Sequence, residues 1–192
     1  MNVSEAIRTK RAVRQFLPEP LPDAVVLAIL DAGRRAQSSK NTQPWQFVAV
    51  RDRATLTALS EMGDWAGHLA GAALGVALLT PDPQARFQTM FDAGQAAAYM
   101  QLAAWERGVG SCLASIYQPE AARALLGFPL EWHLRICISF GYPHPEALAP
   151  RPPRPGGRKP LADIVHFDRW GGQERPIVNM RAVVSVLESE ST

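Results

Sequence analysis

Apolar and polar positions follow two rhythms along this chain. Val25, Val26, Ile29 and Leu30 recur at the spacing of one helix face, so a helix is expected from Asp23, read as its cap, to about Ala36. Trp45-Gln46-Phe47-Val48-Ala49-Val50 alternates instead, as a strand with one face inward does. Upstream, Ser4 reads as the cap of a first helix that fades near Lys10 to Arg14, and Pro18, Pro20 and Pro22 punctuate an extended link. Downstream, Asp52 or Thr55 opens a helix through about Met62. The apolar run from Ala72 to Leu79 reads as a buried strand, although its periodicity leaves a helix open. The clearest helix is the Ala- and Gln-rich stretch from Arg86 to Arg107, stopped by Gly108. A strand (110–117), a short helix (119–126) and another strand (134–142) follow. Short helices are expected at 161–165 and 176–188.

Strands interleaved with helices imply an α/β or α+β sandwich around a buried central sheet. A chain of 192 residues, 47% hydrophobic, can build one core without disulfide or metal staples. Seven of the sixteen prolines fall in residues 143–160, which makes that stretch an extended, stiff connection rather than core. Residues 1–165 are therefore read as one domain, with 166–192 an extension of it that packs more naturally across a partner than into its own core.

Charge and cysteine content narrow the functional classes. A net charge of +2 gives no basic face of the kind nucleic acid requires. Cys112 and Cys137 sit in apolar runs and form no disulfide framework, and the four histidines are too scattered for a metal site. The N-terminus lacks an apolar secretory core, and the longest apolar run, residues 69–79, falls short of the roughly 18–20 residues of a membrane span. The expectation is a cytoplasmic protein with neither nucleic-acid nor membrane partners.

No nucleophile elbow, zinc-protease motif, phosphate-binding loop or dinucleotide fingerprint is present, so a cofactor must carry any chemistry. Three features could serve it. Lys10, Arg11 and Arg14 put three cations within five residues, suited to clamping a terminal phosphate, and equally readable as a basic surface turn. Ser38-Ser39-Lys40-Asn41-Thr42-Gln43-Pro44-Trp45 supplies hydroxyls and carboxamides on a loop before a strand. Asp92 opens a small-residue helix whose packing explains most of its composition.

In order along the chain stand Lys10-Arg11-Ala12-Val13-Arg14-Gln15-Phe16, Ser38 to Phe47, Asp92 leading to Gly108-Val109-Gly110-Ser111-Cys112, Gly141-Tyr142-Pro143, and Arg158-Lys159-Pro160. This succession resembles the nitroreductase family over roughly residues 4–165. The resemblance implies an α+β fold: a three-layer α-β-α sandwich with a central, mostly antiparallel sheet, and a C-terminal extension packed on the partner subunit of a homodimer. It implies FMN as cofactor and NAD(P)H as co-substrate. Lys10, Arg11 and Arg14, with Arg158 and Lys159, would hold the FMN phosphate and ribityl end. Ser38, Ser39 and Asn41, supported by Gln43, would reach the flavin of the other subunit, and backbone groups around Ala114, Ser115 and Ile116 would face its redox nitrogen.

The chain departs from the family pattern at Lys10, where a guanidinium fork becomes a point charge, at Ala12, which removes a hydroxyl, and at Gln37, where proline is usual. The stretch between Leu79 and Asp92 is short, which reduces the excursion that covers the site in larger members. The implied activity is ping-pong transfer of electrons from NAD(P)H to a small-molecule acceptor such as a nitroaromatic or quinone, with no catalytic side chain. Specialised family chemistry (dehalogenation, flavin fragmentation) and a non-catalytic flavin-binding module are the alternatives.

Overall fold

A single antiparallel sheet organises the protein, in the order β1-β2-β4-β3. The computed structural model describes residues 1–149 and 158–172. β2 (Leu74–Thr80) and β4 (His133–Gly141) are the inner strands, with β1 (Gln46–Val50) and β3 (Gly110–Ser115) at the edges. All seven positions of β2 are buried, which explains why its sequence is continuously apolar and why its periodicity could not separate strand from helix.

The two faces of the sheet feed separate cores. Leu74, Val76 and Leu78 of β2 join Ile138 and Phe140 of β4 on one side. They pack there against α2 (Asp23–Arg34) and the long α4 (Gln88–Glu106). Ala77 and Leu79 join Leu134 and Cys137 on the other side, with Leu56 and Leu59 of α3 (Arg53–Ser60) and Ala122 of α5 (Pro119–Leu126). Leu134 and Ile138 would share a face in a regular strand. A register shift between Leu78 and Leu79 pairs Leu78 with Ile136 but Leu79 with Leu134, so Arg135 is an extra residue and side chains change face across it. Helices thus cover both faces, giving the three-layer α-β-α, α+β arrangement expected.

Most element ends agree with the sequence pattern, and the exceptions have local causes. The cap of α1 (Val3–Thr9) is Asn2 rather than Ser4: its extended backbone lets Oδ1 accept from the Glu5 N–H at 2.8 Å. Pro22, not Asp23, occupies the cap position of α2, and the Asp23 carboxylate instead pairs with Arg51 at 2.7 Å. Asp52 is the cap of α3, accepting from Thr55 N–H at 2.8 Å. Only residues 81–87 join β2 to α4, and the four-residue α6 (Pro145–Leu148) closes this part of the chain.

Contacts divide the chain into Met1–Ala149 and Pro150–Thr192. In the second unit, Leu161–Asp163 is a single 3-10 turn rather than the short α-helix expected over 161–165, and His166 stacks against Trp170 with ring centroids 4.3 Å apart. The helix expected at 176–188 lies outside the described residues.

Residues 10–16 lie along the free side of the sheet. Val13 N–H donates to the Ser111 carbonyl at 3.0 Å, Leu17 N–H to Tyr142 at 2.8 Å, and His144 N–H to Gln15 at 3.0 Å. Bridges form between Ala12 and Ser111 and between Phe16 and Pro143. Two glycines make this approach possible. A Cβ on Gly110 would fall 2.7 Å from the Val13 side chain, and one on Gly141 would fall 2.9 Å from the Phe16 ring. Gly110→Ala is therefore expected to push Val13 out of its buried seat and destabilise the fold by roughly 1–3 kcal/mol. Chemical denaturation measures this, and Gly94→Ala, where no atom lies within 4 Å, should be neutral or stabilising by comparison.

Candidate functional site

The exposed edge of β3 is the geometric centre of the site. β3 pairs only with β4, in the register Ala114↔Cys137, and Ile116 N–H donates to Arg135 O at 2.9 Å. Even-numbered positions therefore direct their backbone groups toward β4, and Ser111, Leu113 and Ser115 direct theirs outward. At one end of that edge Val13 takes the Ser111 carbonyl. At the other, Tyr117 N–H donates to Met62 O at 2.8 Å. Gly63 sits so close to Ser115 that a Cβ would lie 2.0 Å from its carbonyl oxygen. Between these contacts Leu113 is 47% exposed, with its carbonyl against the His68 ring.

The basic segment flanks this notch. Lys10 is half-buried and its Nζ donates to Gln101 Oε1 of α4 at 3.2 Å, while Arg11 donates to the Leu148 carbonyl at 2.8 Å. Among the described residues no carboxylate lies within ion-pair distance of Lys10, Arg11 or Arg14. Burial, partly offset by nearby Cys112, holds the Lys10 ammonium below its ordinary range. The Cys112 thiol is pushed up by burial despite Arg14 and Lys10, and Cys137, wholly buried, is raised to about 12. Neither sulfur is a nucleophile at neutral pH.

One cavity touches β3 and a second borders the basic segment. One, of about 270 Å³, is walled by Ala93, Gly94, Ala97 and Ala98 of α4 and by Leu113 and Ile136 of the sheet, and it also touches Gln101. Its small residues leave room for a flat ring. The other, of about 410 Å³, is polar, with Arg14, His68, His144 and Glu146 on its wall.

The loop at residues 38–43 lies elsewhere. Its Ser39 N–H donates to the carboxylate of Asp92 at 3.2 and 3.3 Å, and Gln43 N–H to Ser38 Oγ at 2.9 Å. Lys40, Asn41 and Gln43 all have positive φ, at 54°, 54° and 48°. Three non-glycine residues in that region within four positions is stored strain that only a well-anchored loop maintains. Asp92, 5% exposed, is that anchor. Asp92 and Gln101 lie nine residues apart on α4, about 13.5 Å at helical rise. Within one subunit, loop and basic segment therefore stand at different points along the helix.

The structure thus brings the segment carrying Lys10, Arg11 and Arg14 to the Ser111 end of β3. Ala114 is fully buried with its side chain in the core, and the outward backbone groups belong to its neighbours Leu113 and Ser115. Ser38, Ser39, Asn41 and Gln43 are held together near Asp92. Arg158 and Lys159 are exposed in the second unit. No helix among the described residues is long and apolar enough to cross a membrane, and no group of three His, Cys, Asp or Glu side chains there could hold a metal.

Residues 7–66 and 64–142 match the Nitroreductase family. The chain belongs to that family. An NADH dehydrogenase of Thermus thermophilus is 28% identical over 201 residues, covering 86% of this chain and 95% of that protein. Among solved structures, an FMN-dependent nitroreductase from Clostridium difficile superposes with a TM-score of 0.75 at 25% identity, over 85% of this chain and 98% of that one. The NADPH:FMN oxidoreductase of Vibrio harveyi shares the fold, with a TM-score of 0.77 at 20% identity, over 98% and 86% of the two chains.

Within this nitroreductase site, sequence reasoning passed over Gln101, His68, Gly63 and Leu113. Gln101 had a signal, a carboxamide buried in an Ala-rich helix, whereas Gly63 and Leu113 acquire meaning only from strand pairing. Asp92→Ala removes the charged acceptor of Ser39 N–H and is expected to cost roughly 1.5–3 kcal/mol, with faster amide exchange over residues 38–43. Asp92→Asn, which keeps an acceptor oxygen, should recover much of that loss in the same exchange experiment.

Proposed function

We propose that this chain is a homodimeric, FMN-dependent oxidoreductase that takes electrons from NAD(P)H and passes them to small electrophiles such as nitroaromatics or quinones. The observation that carries this reading is the placement of three cations, with no carboxylate within ion-pair distance among the described residues, at one end of the edge strand β3. FMN supplies reversible two-electron chemistry when bound. The names of the Clostridium difficile and Vibrio harveyi relatives support the same cofactor.

In this reading Lys10, Arg11 and Arg14 hold the phosphate and ribityl end. An ammonium at Lys10 offers a point charge that Gln101 orients, while Arg11 and Arg14 offer forked donors. The backbone at Leu113 and Ser115 presents outward donors and acceptors to a ring edge. Small residues of α4 keep the apolar cavity open to a flat acceptor, and the brief 81–87 connection adds no cover to it.

A second copy completes the site. Met90, Phe91 and Tyr99 of α4 and Phe87 at its N-cap are exposed, Phe91 by 70%, and Phe87 and Phe91 meet edge to face with centroids 6.3 Å apart. Such a stripe on one helix marks a protein contact. Antiparallel pairing of α4 with its copy, about a point midway between Asp92 and Gln101, carries Ser38, Ser39, Asn41 and Gln43 of one subunit to the basic segment of the other.

The purified protein is expected to be yellow and to bleach anaerobically with NADH or NADPH; colourless protein that takes up no added FMN overturns the reading. Arg14→Ala should weaken FMN roughly 10- to 100-fold, the loss of one charge-assisted contact, as read by flavin fluorescence quenching. Phe91→Glu should yield monomer by light scattering and lose FMN with it. Retention of flavin by that monomer would show that one subunit suffices.

A further inference from the structure

His68 is the buried titratable group that the function above does not use. It stands in the 3-10 turn Gly67–Leu69 and is only 8% exposed, on the wall of the polar cavity that also holds Arg14. Its Nδ1 meets Ser139 Oγ at 2.8 Å, and that hydroxyl donates to the Cys112 carbonyl at 3.3 Å. Its Nε2 is buried without a hydrogen-bond partner. A neutral ring tolerates this, since an unprotonated Nε2 is only an unused acceptor. A protonated ring adds an N–H, for which the Leu113 carbonyl is a neighbouring acceptor, and a positive charge beside Arg14 that calls for an anion.

We propose that the cavity between Arg14 and His68 is a proton-linked anion site, in which His68 becomes protonated as a negatively charged group of the flavin occupies it. This rests on the FMN reading above and deepens it by naming a residue that senses the cofactor's charge. Every neighbour bears on it. The basic segment presents Arg14, the loop before α6 presents His144, and α6 presents Glu146. β3 presents Cys112 and the Leu113 carbonyl. From α3, Arg53 is directed to the Ala70 carbonyl just beyond the turn. Without a ligand, burial first and then the Arg14 charge hold His68 below its ordinary range, and the Leu113 carbonyl offsets this only in part. An anion between Arg14 and His68 reverses the second cause. The ring's affinity for a proton then rises on binding, so binding takes up a proton and tightens as pH falls, by at most about tenfold per pH unit for one proton.

The negative charge can reside on the phosphate or on the ring once it is reduced, and these sources are separable. Proton uptake is measured by calorimetry in buffers of differing ionisation enthalpy, using FMN and riboflavin, each oxidised and each reduced with dithionite, on wild type and His68→Gln. The phosphate itself titrates near pH ~6 and flavin reduction consumes protons, so the wild-type minus His68→Gln difference is the quantity read. A positive difference with oxidised FMN but not riboflavin assigns the phosphate, and a difference for both only after reduction assigns the ring. No difference in any arm overturns the proposal while leaving the FMN reading intact, and no flavin binding to wild type at any pH overturns both. Should His68→Gln fold poorly, the wild-type His68 ring signal followed by NMR decides alone: its titration midpoint must move to higher pH with flavin bound, and an unmoved midpoint refutes the inference.

Discussion

Everything at this site depends on how residues 10–16 lie against the ends of β3 and β4. Val13 and Phe16 are the contacts, and Gly110 and Gly141 are the spaces they enter. The energetic content is ordinary apolar burial and a few backbone hydrogen bonds, but its consequence is positional. With Val13 inward, the alternation of an extended segment turns Arg14 outward beside the strand edge. Side chains long enough to wander are thereby rooted at fixed points, which costs less binding entropy than recruiting cations from a loose arm.

That contact also accounts for which parts of the sequence were legible. Helix α2 and the long α4 announce themselves in the sequence pattern, whereas β2, buried at every position, reads as apolar without declaring strand or helix. Gly110 and Gly141 are equally visible as letters, yet their purpose is tertiary: each accommodates a side chain from a segment more than ninety residues earlier. The face change across Arg135 is hidden for a related reason, since only the pairing partner shows where the extra residue falls.

Of the site, charge and polarity pointed to Lys10, Arg11, Arg14 and the 38–43 loop, and the order of motifs joined them. What the letters could not convey is that these two groups sit about 13.5 Å apart along α4 within one subunit. Ala114 shows the same limit at finer scale. Strand parity, a property of hydrogen bonding rather than composition, assigns the outward backbone groups to Leu113 and Ser115. His68 looked like one scattered histidine among four, and its interest comes entirely from what surrounds its two nitrogens.

The arrangement holds its polar groups in states that favour a ligand. Among the described residues, Lys10, Arg11 and Arg14 have no carboxylate within ion-pair distance and the buried His68 Nε2 has no hydrogen-bond partner, while the 38–43 loop keeps three residues at positive φ. In the proposed reading, one negatively charged occupant would relieve the first two. Linkage makes this reciprocal: whatever the ligand gains by relieving these groups, the folded chain gains in stability when ligand is present. The apolar cores on the two sheet faces are what permit such groups at one edge, because they and the pairing with β4 fix β3 in place without using its outer edge.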